Sequence, residues 1–331
     1  MDNVEEIILI YQNHSLMPYV ILSSAVLFLM VVLWSKAFKP SSLVLRRLYL
    51  LVIILPIILY PVFYFSFFRT CGYVNPDTSV GFPFIFPFHF VCKLGGFIST
   101  WIVPLSLIIF ITTLFLSFKA YKKRINFIKK ARKASLSLNN DDKIYRIIDE
   151  LAFEMNLKNR PDVYIIFTEE TISFANGAFK PEIYISESLL GLLDEKELKG
   201  VIAHELSHIK LKDTTWDVVM TVVSYMLFFS PFSLLAKKMY MKEREEACDV
   251  LASLYTEEPL SLGRGLLKVK KSQSQHPNPV VAGFSWTKGG TARRVENLLW
   301  FDDNGFEFLK LDKIKETAFV MSALMFLFYL C

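Results

Sequence analysis

The chain has 331 residues, a formal net charge of +5, 53% hydrophobic content and 15% aromatic content with 30 Phe. So much apolar surface excludes an ordinary soluble enzyme, and membrane segments must take up the excess. The positive charge sits beside the apolar blocks, as the positive-inside rule predicts, which argues against a nucleic-acid partner.

Residues 1–16 begin acidic, with Asp2, Glu5 and Glu6, and lack the basic start and small-residue cleavage site of a removable signal peptide. A first span is expected at about 18–34. The basic loop after it, with Lys36, Lys39, Arg46 and Arg47, places the N-terminus outside and the loop in the cytoplasm. A second span at about 48–68 contains Pro56 and Pro61, where kinks are expected. Residues 69–96 then read as an exterior, Pro- and Phe-rich loop. Its Cys71 and Cys92 either form a disulfide or remain two free thiols. The third span covers about 97–118. The acid-free run Lys119, Lys122, Lys123, Arg124, Lys129, Lys130, Arg132 and Lys133 follows, which closes the membrane region near residue 135 and keeps the next domain cytoplasmic.

Residues 136–315 have the composition of a folded α+β domain. Ile144, Ile147, Ile148, Leu151 and Met155 form a helical stripe, while Val163–Phe167 and Ile183–Ile185 read as strands. Between them, Phe174–Phe179 reads as an edge strand, with Gly177 ahead of Lys180-Pro181 in a hairpin turn. Either this is a plain structural hairpin, or its free edge at Asn176 and Gly177 pairs with an extended substrate.

The chemistry is concentrated in Val201–Ile209. His204 and His208 lie four residues apart on a helix, so both imidazoles leave one face and can share one zinc ion, with Glu205 beside them as a base. Asp194 and Glu197 spell a capping box for that helix, which should end near Lys212, with Asp213 capping the next segment. Residues 216–236 are apolar enough to enter a membrane. A single crossing would carry everything downstream about 30 Å away. A re-entrant or interfacial hairpin bent near Ser230-Pro231 would instead bring the acidic run Lys242–Asp249 back to the histidines, and a true span is the competing view. On a helix Glu245 and Asp249 share a face while Glu246 points about 100° away. This assigns Glu245 as third ligand and Asp249 as the acceptor that orients an imidazole.

His-Glu-Leu-Ser-His at 204–208, Lys210, Asp213 and Arg244-Glu245-Glu246-Ala247-Cys248-Asp249 resemble the integral-membrane gluzincins. The Ala-Cys-Asp spelling leans toward the antirepressor peptidases of the BlaR/MecR type, with prenyl-protein and heat-shock membrane endopeptidases more distant. The resemblance implies one zinc ion, endopeptidase activity at the cytoplasmic membrane face and, in the nearest members, cleavage of a regulatory protein. Those sensors carry an extracellular penicillin-binding domain that these residues do not include, so β-lactam sensing is not expected.

Residues 272–291 read as a loop. Its His276, like Arg293 and Arg294 beyond it, is a candidate for oxyanion or substrate contact, with a solvated loop histidine as the plainer reading. The last apolar run, 317–331, is a short or incomplete span in a C-terminal membrane segment from about 316. The expectation is a mainly α membrane protein, a multi-span bundle joined to a cytoplasmic zinc peptidase domain that acts on a protein or peptide. The rival reading is a non-proteolytic or self-cleaving transducer that uses the zinc fold as a relay.

Overall fold

The computed structural model describes residues 16–71, 85–137, 143–177, 180–275, 290–304 and 314–322. Helices α1 (Leu16–Phe38) and α2 (Ser42–Cys71) are runs of Leu, Ile, Val and Phe with no polar face. Within them Tyr19–Phe38 and Ser42–Pro61 are long and apolar enough to cross a membrane. α2 continues through both Pro56 and Pro61. Helix α3 (Ile85–Lys133) carries the third apolar stretch and its basic tail as one element. The loop expected at 69–96 is therefore helical at both ends, because α2 reaches Cys71 and α3 starts at Ile85. The Cys71 and Cys92 side chains, and with them the disulfide question, lie outside the described residues.

The domain that follows contains β1 (Ser135–Ser137), α4 (Lys143–Glu154), β2 (Asp162–Ile166), β3 (Ser173–Asn176), β4 (Glu182–Ser186) and α5 (Glu187–Leu192). The sheet order is β1-β2-β4-β3, parallel between β2 and β4 and antiparallel elsewhere, so β3 is an edge as expected. Gly177 turns the β3–β4 hairpin with φ +89°, and a Cβ there would lie 1.9 Å from the Lys180 carbonyl oxygen. Strand β1 has no apolar alternation to announce it and was not anticipated.

Helix α6 (Glu195–Lys210) begins in a complete capping box. The Glu197 amide donates to Asp194 Oδ1 at 2.9 Å, and the Asp194 amide donates to Glu197 Oε2 at 3.0 Å. Helices α7 (Asp213–Met226) and α8 (Pro231–Thr256) follow, then α9 (Pro259–Gln275), α10 (Thr291–Asn304) and a helix at 314–322. Arg244 pairs with Asp217, and Lys237 Nζ donates to Ser224 Oγ at 2.8 Å. That register makes α7 and α8 antiparallel. The bend expected near Ser230-Pro231 is present, with Ser230 capping α8 and Pro231 starting it. Ser230 Oγ also lies 2.9 Å from Ser24 Oγ, which ties the turn to α1.

Two cores result. One joins α4, the sheet and α6 through Leu151, Ile183, Ile185, Val201, Ile202 and Leu206. The other joins α1 and α2 to the hairpin through Leu27, Val31, Leu48, Val52 and Met220. Helix α8 enters both, with Ala236 and Tyr240 in the second and Val250 and Ala252 in the first. Gly200 lets α9 lie close on α6, since a Cβ there would meet the Leu262 Cα at 3.2 Å.

Candidate metal centre

Helix α6 presents His204 and His208 from one face, with their Nε2 atoms 3.2 Å apart. The hairpin returns Glu245 to them. Its Oε2 lies 3.7 Å from His204 Nε2 and 3.9 Å from His208 Nε2. In the plane of these three atoms, the equidistant point lies about 2.1 Å from each, the length of a zinc–nitrogen or zinc–oxygen bond. The three residues thus form a candidate metal-binding cluster. The carboxylate chosen at 245 rather than 246 is the one that reaches the histidines. Glu246 faces away, where it accepts from Asn297 at 2.7 Å and Ser42 at 3.3 Å.

Both imidazoles are held from behind. His204 Nδ1 lies 2.9 Å from Asp249 Oδ1, and His208 Nδ1 lies 2.7 Å from Asp213 Oδ2. A neutral imidazole that gives its Nδ1 proton to a carboxylate turns an Nε2 lone pair forward, the tautomer a metal needs. Two such lone pairs and a carboxylate aimed at one point repel each other unless a cation lies between them. The site therefore fits zinc by its donor chemistry as well as by its dimensions.

The surrounding carboxylates favour positive charge at this point, whether carried by a proton or by a metal. Burial disfavours a charged His204, but its hydrogen bonds with Asp249 and Glu245 outweigh that and lift its pKa to about 9. Burial likewise opposes ionisation of Glu245. The histidines, Arg244 and Arg294 overcome it and hold the carboxyl well below the usual range. Burial pushes the Cys248 thiol up. Cys248 Sγ sits 3.2 Å from His208 Nδ1, the nitrogen that Asp213 already engages, so His208, Asp213 and Cys248 make a backing group behind the ligand and not a second front.

Residues 96–298, more than half of the chain, match the family model described as BlaR1 peptidase M56. The chain belongs to the BlaR1 peptidase M56 family. Members of this family are membrane zinc metallopeptidases, and the cluster of His204, His208 and Glu245 is consistent with that chemistry. The chain is 33% identical to a protease HtpX homolog of Acidiphilium cryptum over 40% of its own length and 57% of that protein. It is 28% identical to the methicillin resistance mecR1 protein of Staphylococcus aureus over 52% of its own length. It spans only 28% of the latter relative. The crystal structure of S. mikatae Ste24p aligns with 82% of this M56 chain and 79% of its own at 15% identity and a TM-score of 0.39.

Several assignments in this M56 chain need correction. Asp213 does not cap α7, because the helix follows Lys212 in a left-handed turn, φ +56°, with no side-chain cap. That turn swings Asp213 back onto His208 instead. Arg294, one of the candidates for oxyanion or substrate contact, is 1% exposed; it gives Nε and Nη2 to the two oxygens of Asp249 at 2.6 and 2.7 Å, and its Nη1 lies 3.8 Å from Glu245 Oε2. Arg293 turns to Glu246 at 3.1 Å and Glu243 at 3.4 Å. Asn176 ends β3 opposite Glu182, with Gly177 in the turn after it, while His276 lies outside the described residues. Two contributors had no sequence signal. Ser173 of β3 donates to Glu205 Oε1 at 2.6 Å, and Arg46 of α2 reaches Asp213 Oδ1 at 3.0 Å.

Proposed function

We propose that this M56 peptidase is an endopeptidase that hydrolyses a peptide bond of a protein substrate, a cytoplasmic regulator, at the inner membrane face. The observation that carries the reading is the convergence of His204, His208 and Glu245 from two helices, with Glu205 on the same helix turn. His204, His208 and Glu245 would hold a single zinc ion, which would supply Lewis acidity toward water and the scissile carbonyl. Glu205, oriented by the Ser173 hydroxyl, takes a proton from the attacking water and delivers it to the departing amine. An extended substrate adds to the free edge of β3, which packs against α6. The positive residues after α1 and along α3 support a multi-pass arrangement with the N-terminus outside and the site in the cytoplasm. The α7–α8 turn dips into the bilayer without crossing it.

The test is Glu205→Gln in purified full-length protein. Zinc content should stay at one per chain while cleavage falls about 10²-fold or more, the usual weight of a general base. Retained cleavage with zinc bound removes Glu205 from its role. Comparing cell proteomes of the wild type and this variant identifies the protein that persists uncut.

A further inference from the structure

Helix α3 has two faces beyond residue 107. Thr113 and Ser117 are buried, Arg124 pairs with Asp217 at 3.7 Å, and Phe127 packs on Phe174 at 5.6 Å between ring centres. On the opposite face Ile108, Ile111 and Phe115 are 61%, 58% and 63% exposed. At about 100° per residue, Lys122, Lys129 and Lys133 continue that same face, and Lys119, Lys130 and Lys123 flank it on one side. All six lysines are exposed, and no carboxylate among the described residues forms an ion pair with any of them. An apolar stripe that turns into a basic stripe without leaving its face is what a helix shows where it passes from lipid tails to lipid headgroups.

We propose that this stripe binds anionic phospholipid headgroups, with Lys119, Lys122 and Lys123 in contact with them. The headgroup layer is only about 6 Å deep on each side of the hydrocarbon, roughly the rise from residue 119 to 123. Residues 129–133 lie roughly 9–15 Å beyond it, more than a Debye length of about 8 Å, so the headgroup charge reaches them only weakly. The opposite face of the helix rests on Phe174 of β3, next to the serine that holds Glu205, so the lipid contact also anchors the catalytic sheet against the membrane.

The experiment measures association of spin-labelled phosphatidylglycerol and phosphatidylcholine with the full chain in phosphatidylcholine vesicles, a readout that needs no cleavage. The wild type should prefer phosphatidylglycerol about fivefold, the factor one lysine supplies at a lipid surface, and lose the preference in 1 M salt. K119Q/K122Q/K123Q should abolish the preference, while K129Q/K130Q/K133Q should keep most of it. Equal association of both lipids with the wild type, or a preference that ignores salt, overturns the proposal without touching the peptidase reading. Equal losses from the two triple variants also overturn it, and they point to an acidic protein or nucleic acid along the whole stripe.

Discussion

The two ligand histidines stand on one helix but are supported from two different parts of the molecule. His204 leans on Asp249, which Arg294 of α10 clasps with two hydrogen bonds inside the peptidase core. His208 leans on Asp213, whose partner is Arg46 of α2, in the bundle of apolar helices. The first arrangement is bidentate and entirely buried. In the second, one guanidinium nitrogen serves both Asp213 and the Leu211 carbonyl at 3.0 Å, while Arg46 Nη1 is buried without a hydrogen-bond partner among the described residues. The comparison teaches that one half of the candidate metal grip is internal to the core around α6 and the other half is lent by the apolar helices α1 and α2.

Breaking the internal arm should have the largest effect. Arg294→Met leaves Asp249 charged and buried, which costs about 3–5 kcal/mol and should appear as lost expression or a lowered unfolding midpoint of the purified protein. Breaking the arm from α2 should be milder. Arg46→Met also strands a buried carboxylate, but it removes one guanidinium nitrogen and not a bidentate pair, so it should lower the unfolding midpoint less than Arg294→Met and reduce zinc affinity about 10- to 100-fold in a chelator competition. Equal damage from both substitutions would erase the distinction between the arms.

The smallest effect should come from the seam between the two regions. Glu243 and Glu246 of α8 lie there, close to Ser42 of α2 and to Arg293 and Asn297 of α10. Burial, then the charge of Glu246, pushes the Glu243 pKa up to about 8. Arg293, 43% exposed, is too well solvated to offset this. Below about pH 4.5 both folded and unfolded chains hold the Glu243 proton, and its favourable contribution is complete. As pH rises toward 8 the unfolded chain gives up that proton first, so stability falls across this window. Glu243→Gln should flatten the decline, gaining most over the wild type near pH 8 in denaturation curves recorded from pH 5 to 8.

What could be foreseen from the residues was local. The i, i+4 spacing of His204 and His208, the capping box at Asp194 and Glu197, and the choice of Glu245 over Glu246 all follow from one helical period. The hairpin could be argued because the third ligand needs a short way back. Arg46, Ser173 and Arg294 could not be placed, since each meets its partner across a long stretch of chain and no periodicity links them. Asp213 was misread for a related reason. Beyond the end of α6 the helical wheel no longer applies, and the left-handed Lys212 decides where the next side chain points.

Helix α8 spans about 39 Å, with one end packed among the apolar helices and the other carrying Glu245 and Asp249. Zinc bonds tolerate only about 0.2 Å of error. A rod so placed works as a gauge: a slip of a single residue's rise at its far end withdraws the carboxylate by several times that margin. Whatever shifts the packing around Ala236 and Tyr240 would thereby move the Glu245 carboxylate relative to the two imidazoles.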